Sequence, residues 1–373
     1  CDQGRYVEHY SLPKIWCPLM SHSDDRDEML RIVELLDPEP RAWWSLLPQI
    51  GVTKVVALLE DGEQKRRWLK PTATDSLGWI AADQTAPPVG ERSWEYKALV
   101  RVRDRFRASG LELVALEDTP PMDKIRLGLP GRDEQIQWWI DMIDAAGRLG
   151  LRTLCYNWMA IRGWVRTNDA ISDRGGALVT GYNHRYMQSL GDVVEPNEFT
   201  ENQLWDGLSY FLKAVIPHAE AAGVVLGMHP DDPPLPIIRG IPRIMRSVEN
   251  YDRLLSLSDS PSNGITFCQG NFALMTSDLP RLIERWGTRI KFIHLRDVSG
   301  TVEEFQETFH DAGPTDLGAC VQAYINAGVS GILRPDHVPT LAGEDNSTPG
   351  YGVLGRLHAI GYIQGLVHCA IPH

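Results

Sequence analysis

The amino-acid sequence predicts an α/β fold of the closed (β/α)₈ barrel type, in which eight parallel strands alternate with helices. The first observation behind this prediction is that eight short runs rich in Val, Ile, Leu and aromatic residues recur along the 373 residues. The second is that the segments between them are long enough to hold helices, and several end in glycine, as helices often do. The predicted strands are 14–20, 52–61, 111–119, 152–159, 224–230, 264–270, 290–297 and 331–337.

Helix-like segments directly precede four of these strands. Their sequences are RVRDRFRASG, WWIDMIDAAGRLG, YFLKAVIPHAEAAG and ACVQAYINAG, all amphipathic and closed by glycine. A doubly wound open sheet is the alternative architecture. Because no glycine-rich nucleotide loop follows the first predicted strand, the closed barrel is favoured.

The length suits one domain, a barrel spanning residues 1–373. Two segments exceed a minimal barrel, at 61–100 and 160–205. The second follows the fourth predicted strand, and long loops after barrel strands lie on the face where active sites are built. We therefore interpret 160–205 as a cap or lid over the site, with a surface excursion or a subunit contact as the alternative.

Composition excludes several classes of partner. The net charge of −12 and the lack of a long Lys or Arg run argue against nucleic acid. No stretch approaches the roughly 18 to 20 continuous apolar residues of a membrane span, and the opening CDQGRYVEHYSL does not resemble a secretory signal, so a cytoplasmic location is expected. The six cysteines form no CxxC pair, which argues against a disulfide framework or a zinc ribbon.

A side chain able to bind metal stands at or near the carboxyl end of each of the last four predicted strands. These residues are His229, Cys268, His294 and Asp336. Since the carboxyl ends of all strands of a parallel barrel meet at one rim, we expect the four to converge on one divalent cation. Burying such groups without a partner is costly, so chance packing is a poor explanation. A thiolate with two imidazoles suits zinc or iron, while the carboxylate also admits manganese, so ligand chemistry leaves the ion open.

Two further residues are candidates for moving protons beside the ion. His337 directly follows Asp336, and Tyr351 lies in the loop STPGYGVLGR, which follows the last predicted strand and so belongs to the same rim. An imidazole and a phenol near a cation can act as acid and base. A loop aromatic that merely packs on a helix start is the alternative for Tyr351.

Several motifs resemble the mannonate dehydratases of sugar-acid catabolism. They are LCYNWM at 154–159, FLKAVIPHAEAAGVVLGMHPDDPP at 211–234, GITFCQG at 264–270, RIKFIHLRD at 289–297, LRPDH at 333–337 and TPGYGVLGRLHAIGYIQGL at 348–366. The match covers residues 110–160 and 205–366 well, and HPDDPP and RPDH followed by PGY are its most specific parts.

The resemblance implies a TIM barrel related to xylose isomerase and a Mn²⁺-dependent lyase that removes water from D-mannonate to give 2-dehydro-3-deoxy-D-gluconate. It places the family's metal ligands on the same four residues and its acid and base on His337 and Tyr351. It also implies a small-molecule sugar acid as partner and a homo-oligomeric state. The family prefers Mn²⁺, with Fe²⁺ or Zn²⁺ as the alternatives that the ligand set allows.

The implied mechanism uses the ion as a Lewis acid that binds the sugar acid and stabilises the enediolate formed when the C2 proton is removed. One of Tyr351 and His337 takes that proton and the other protonates the departing C3 hydroxyl. Asn157 and Arg296, at strand ends on the same rim, are candidates for holding substrate, since a guanidinium grips a carboxylate bidentately. Structural salt bridging is an equally good explanation of Arg296.

Departures from the family pattern leave the substrate open. The second predicted strand reads VVALLEDGEQ, TPPMDKIRLG puts Met122 where the family has a pocket His, and VPT follows RPDH. The segment 170–200 also differs from the family's. The hypotheses are therefore a dehydratase of mannonate or a related acid, a metal-dependent isomerase, epimerase or lyase on a modified sugar, and a non-catalytic sugar-acid binder.

Overall fold

The structure, a computed structural model, describes residues 30–63 and 88–371. Its centre is a nine-stranded parallel sheet in the order β1-β15-β12-β11-β8-β5-β4-β3-β2. The strands are β1 (Leu30–Ile32), β2 (Glu34–Leu36), β3 (Lys54–Ala57), β4 (Glu112–Leu116), β5 (Thr153–Asn157), β8 (Val225–His229), β11 (Asn263–Cys268), β12 (Ile290–Leu295) and β15 (Gly331–Pro335).

The sheet closes on itself through an interrupted first strand. β1 pairs in parallel with β15, whereas β2 pairs in parallel with β3, and Val33 alone separates the two halves. The closed barrel predicted from the sequence is confirmed, and seven of its strands coincide with predicted runs.

The remaining predicted strand, 14–20, lies outside the described residues, and segment 30–36 takes the first position in the barrel instead. Charged residues interrupt the apolar pattern of this segment, LRIVELL, so it is absent from the predicted runs. Glu34 is nevertheless buried, because Nη1 of Arg356 donates to its carboxylate at 2.6 Å. This strand is therefore buried although its sequence lacks the continuous apolar run that is typical of buried strands, because a distant arginine pairs with its charge.

Helices surround the strands and bury one apolar face each. Arg132–Leu149 buries Trp139, Met142 and Ile143 and ends at Gly150, whose φ of 77° is the left-handed conformation that glycine favours. Glu201–Ala222 begins with a capping box between Thr200 and Gln203. The other helices of the described ranges are Leu46–Gln49, Tyr96–Ala108, Asp123–Arg126, His184–Ser189, Val248–Leu257, Gln269–Ala273, Leu279–Trp286, Leu317–Asn326 and Val353–Ala370, with 3₁₀ turns at Ala42–Ser45, Arg174–Gly176 and Gly287–Arg289. Within these ranges, the helices lack the combined length and apolar character that crossing a bilayer requires.

A second, antiparallel sheet of four strands joins the barrel at the carboxyl ends of its strands. We call it the cap sheet; it contains β6 (Asn168–Ser172), β7 (Leu178–Asn183), β13 (Val298–Thr301) and β14 (Glu304–Glu307) in the order β13-β14-β7-β6. Leu178 and Thr340 exchange backbone hydrogen bonds of 2.9 Å, which ties the cap sheet to the loop after β15. A short antiparallel pair, β9 (Ile237–Ile238) and β10 (Ile241–Pro242), follows β8.

The cap sheet thus combines the predicted cap segment 160–205 with a hairpin that follows β12. Below it, the barrel interior is filled by a small apolar cluster that includes Val56, Ala115, Phe292 and Ile332. The polar groups at the rim therefore lie next to a packed apolar layer inside the barrel.

Candidate metal centre

The four predicted metal ligands lie together at the rim. His229 and Cys268 are the last residues of their strands, His294 is next to last in β12, and Asp336 directly follows β15. The donor atoms of His229, Cys268 and His294 lie within 4.8 Å of one another. Oδ2 of Asp336 is 3.8 Å from Sγ of Cys268 and 3.9 Å from Nδ1 of His294. Parallel register produces this convergence, because Cys268 stands opposite His294 in the paired strands.

The protonation states of these groups suit a cation. Burial lowers the pKa of His229 and favours the neutral imidazole that a ligand must be. Nδ1 of His229 lies 2.7 Å from the carbonyl oxygen of Pro230, so it carries the proton and Nε2 keeps its lone pair. Burial alone would raise the pKa of Asp336, but Arg334 and the neighbouring histidines outweigh it and hold that pKa well below its usual range.

A buried ion-pair network surrounds the four donors. Its carboxylates are Glu117, Asp232, Glu307 and Asp336, and its guanidiniums are Arg166, Arg296 and Arg334, all of them buried. With neutral histidines the network carries one excess negative charge, and a Cys268 thiolate would add a second. A divalent cation would balance both charges, which low-dielectric surroundings otherwise penalise heavily.

A neighbouring group of possible ligands, Glu117, Cys155 and His294, does not suit a cation. Arg334 already donates to both oxygens of Glu117, at 2.8 and 2.6 Å. Burial would raise the pKa of Glu117, but Arg334 and His294 prevail and lower it to about 2. Burial and the nearby Glu117 raise the pKa of Cys155 well above the usual range, so its sulfur is a thiol. Glu117 therefore serves the rim as a partner of Arg334 and of His294, whose Nε2 is 3.3 Å away.

Arg296 is buried among protein partners. Its Nη1 contacts both oxygens of Glu307 at 2.9 and 2.8 Å. Its Nη2 donates to Asp232 at 2.9 Å and to Asn271 at 2.6 Å, and its Nε faces Sγ of Cys268 at 3.3 Å. These contacts engage all three nitrogens of the guanidinium. They favour the salt-bridging alternative for Arg296, and a role in holding substrate stays a prediction.

The carboxamide of Asn157, the other predicted substrate-binding residue, is engaged by the protein. Its Oδ1 accepts from Nη2 of Arg126 at 3.2 Å and from the backbone N–H of Met159 at 3.0 Å. Asn157 stands opposite His229 in the parallel pair of β5 and β8, as its place on the rim predicts. Its oxygen thus orients the loop after β5.

The two predicted proton-transfer residues flank Asp336. The hydroxyl of Tyr351 donates to Oδ1 of Asp336 at 3.4 Å, and Nε2 of His337 lies 3.8 Å from the same oxygen. His337 has a φ of 43°, a left-handed conformation that costs a non-glycine residue about 1–3 kcal/mol. The ring of Trp164, from the cap segment, lies 4.7 Å from the His337 ring. The Tyr351 alternative, a loop aromatic packed on a helix start, leaves this contact with Asp336 unexplained.

Five residues of the ion-pair network were missed by sequence reasoning. They are Glu117, Arg166, Asp232, Glu307 and Arg334. Signals existed for Asp232 and Arg334, which belong to the HPDDPP and LRPDH motifs, and for Glu117 at the end of a predicted strand. Arg166 and Glu307 are 141 positions apart in segments without periodic pattern, so no local signal marks them.

The fold is that of the xylose isomerase-like TIM barrels. A xylose isomerase-like TIM barrel protein from Mycobacterium smegmatis aligns with a TM-score of 0.52 at 10% identity, covering 88% of each chain, which shows the fold alone. The family model D-mannonate dehydratase (UxuA) matches residues 72–198 and 194–371. The mannonate dehydratase of Streptococcus equi subsp. zooepidemicus is 33% identical over 307 residues, covering 75% of this chain and 84% of the relative. The crystal structure of mannonate dehydratase from Streptococcus suis serotype 2 aligns with a TM-score of 0.77 at 28% identity, covering 92% and 94%.

The chain therefore belongs to the D-mannonate dehydratase family. The resemblance predicted from the sequence motifs is confirmed, and with it the assignment to the hydro-lyases, the carbon–oxygen lyases that eliminate water.

Proposed function

We propose that this chain is a metal-dependent sugar-acid dehydratase, which eliminates water from D-mannonate or a closely related acid to give a 2-keto-3-deoxy acid. The observation that carries the proposal is the convergence of four metal-competent side chains beside two proton-transfer residues that both face Asp336. Family membership supports the reaction class.

His229, Cys268, His294 and Asp336 would hold the ion. The set contains hard and soft donors, so Mn²⁺ is the proposed ion and Fe²⁺ or Zn²⁺ would also be accepted. When bound, the cation supplies Lewis-acid stabilisation to the carboxylate and the neighbouring hydroxyl of the sugar acid. The surplus negative charge of the rim network favours this occupancy.

Elimination needs one group that accepts the C2 proton and one that donates a proton to the departing C3 hydroxyl. His337 and Tyr351 are the proposed pair, because their ring centroids lie 5.6 Å apart and both approach the same carboxylate oxygen. The C2–H and C3–O bonds break, a C2–C3 double bond forms, and the enol tautomerises to the 2-keto acid with release of one water. No oxidant or reductant is required.

The cap segment would exclude water from this chemistry. Trp164 covers one face of His337, and Arg166, in contact with Trp164, is fully buried beside Glu307. Displacing solvent strengthens every charge interaction at the rim. Met122, at one of the departures from the family pattern, is also buried, so the proposal includes acids related to mannonate as well as mannonate itself. We further propose a homo-oligomeric, cytoplasmic enzyme that does not act on nucleic acid or membranes.

Purified protein incubated with Mn²⁺ and D-mannonate is expected to form a 2-keto-3-deoxy acid, detected by a colorimetric assay and by a mass loss of one water. A chelator should abolish the activity and Mn²⁺ should restore it. A product of unchanged mass would indicate an isomerase or epimerase. Absence of any keto-deoxy product from a panel of metal-supplemented hexonates would overturn the proposal.

The Tyr351→Phe variant tests the proton-transfer assignment. Removing the hydroxyl that contacts Asp336 should lower kcat by about 10²–10⁴-fold while ligand binding and metal content stay near those of the parent. Leu354→Ala, a truncation of an exposed side chain three residues further on, is the matched control. A Tyr351→Phe enzyme that turns over as fast as the parent would remove Tyr351 from the mechanism.

A further inference from the structure

The cap sheet brings a carboxylate to His337. Glu307, the last residue of β14, is 1% exposed, and its Oε1 lies 2.9 Å from Nδ1 of His337. We infer that Glu307 is a positioning residue that fixes His337 as the Nδ1–H tautomer and leaves Nε2 as the proton acceptor of the site. This inference rests on the proposed function, within which it distinguishes the roles of His337 and Tyr351.

The hydrogen-bond inventory of Arg166 decides the tautomer. Nη2 of Arg166 lies 3.1 Å from Nδ1 of His337 and could in principle donate to it. That nitrogen has two hydrogens, and shorter contacts use both: 2.6 Å to Oε1 of Glu307 and 3.0 Å to Oδ2 of Asp232. Nδ1 therefore acts as the donor, and Oε1 of Glu307 accepts its proton. With Nδ1 protonated, a neutral imidazole keeps its lone pair on Nε2.

The orientation of the Glu307 carboxylate is itself fixed. Nη1 of Arg296 contacts its two oxygens at 2.9 and 2.8 Å, which sets the plane of the group. Trp164 packs on the His337 ring from the other side at 4.7 Å between centroids. The ring is thus held with Nδ1 toward the cap and Nε2 toward Asp336, 3.8 Å from its Oδ1. Nε2 of His337 is consequently the ring nitrogen that is left to accept a proton.

The Glu307→Leu variant should reverse this arrangement. Oε1 of Glu307 accepts from Arg166 and Arg296 as well as from His337, so a leucine of similar size removes the acceptor of Nδ1 and frees an Nη2 hydrogen of Arg166. Nη2 of Arg166, 3.1 Å from Nδ1, can then donate to it, which makes Nδ1 an acceptor and moves the ring proton to Nε2. The variant would retain the shape of the site but lose the acceptor.

Asp232→Asn is the matched control. Asp232 is also buried and also accepts from both guanidiniums, at 2.7 and 3.0 Å from Arg166 and 2.9 Å from Arg296. Its substitution removes the same charge from the same network but leaves the contact between Glu307 and His337 in place. A loss of kcat that both variants share is due to the missing charge in the network. A difference in kcat between them is due to the tautomer of His337.

The experiment combines kinetics with nitrogen NMR of the full-length protein. Histidine is labelled with ¹⁵N, the metal is removed with a chelator, and the His337 signal is assigned by its absence in a His337→Gln variant. Parent and Asp232→Asn proteins should show the proton on Nδ1, and Glu307→Leu should show it on Nε2. In the Mn²⁺-loaded enzymes, Glu307→Leu should lower kcat about 10²–10⁴-fold beyond the effect of Asp232→Asn, with little change in KM.

A parent protein that carries the His337 proton on Nε2 overturns the inference without any variant, so poor folding of Glu307→Leu would not protect it. Equal kcat in Glu307→Leu and Asp232→Asn, with the same tautomer in both, also overturns it. If no sugar acid is dehydrated, the proposed function fails, whereas the NMR measurement still decides the tautomer.

Discussion

The barrel rim and the cap sheet both supply charged groups to one site, but they place them in different ways. Rim donors come one per strand from β8, β11 and β12 and from the residue after β15, and parallel pairing carries them to one edge, with Cys268 opposite His294. The cap supplies Arg166 and Glu307 from two distant segments that meet through antiparallel pairing of β7 with β14. Backbone topology alone assembles the rim, whereas the cap contribution depends on tertiary packing.

The difference predicts that substitutions should have smaller effects with distance from the rim. The Asp336→Asn variant should show the largest loss. Its carboxylate accepts from Nη1 of Arg334 at 2.7 Å and faces Nε of Arg296 at 3.2 Å, so neutralising it removes the charged partner of two buried guanidiniums. Because breaking a buried ion pair is strongly destabilising, we expect the free energy of unfolding to fall by about 3–5 kcal/mol, measured by denaturant titration, and bound metal to fall well below one per chain, measured by elemental analysis. If the variant were as stable as the parent, the ion pairs of Asp336 would not stabilise the fold, and the prediction would be wrong.

At the junction of rim and cap, His310 should make stability depend on pH. Its Nε2 donates to the carbonyl oxygen of Leu295 at 2.7 Å, and burial lowers its pKa from 6.5 to about 4. Between these two values the unfolded chain binds a proton that the folded chain excludes, so the stabilising contribution is complete above pH 6.5 and is lost as the pH falls to about 4.

Over this pH range, His310 should lower the free energy of unfolding by about 3 kcal/mol or less. This effect is measured as the difference in unfolding free energy between parent and His310→Gln across that pH range, since Gln keeps a donor but does not titrate. Parallel stability curves for the two proteins would refute the assignment.

The outer side of the cap should matter least. Both side-chain oxygens of Asp311 accept from Arg174 at 3.0 Å, but the pair is substantially exposed. We expect Asp311→Asn to change the free energy of unfolding by less than about 1 kcal/mol, because water screens such a pair. The same denaturant titration serves as the matched comparison for Asp336→Asn. If the free energy of unfolding fell as much as in Asp336→Asn, this exposed pair would stabilise the fold as strongly as the rim does, and the prediction would be wrong.

Most of the barrel could be predicted from the sequence because parallel strands are buried on both faces and read as apolar runs. The rim donors could be predicted because strand ends define a common edge. Strand 30–36 escaped this reasoning, since Arg356, far along the chain, compensates Glu34. The ion pairs of Arg296 with Glu307 and Asp232 could not be predicted either, because these partners are distant in sequence and meet the guanidinium only in the folded protein.

The interrupted first strand closes the parallel sheet into a barrel by pairing with β15 on one side and β3 on the other, so closure during synthesis must wait for β15. Leu30 pairs with Gly331, and the Glu34–Arg356 ion pair spans 322 positions. A nascent chain emerging from the ribosome therefore carries an open, incomplete sheet until β15 is out. Asp336 directly follows β15, so a pocket with all four donors first exists when the ring is able to close.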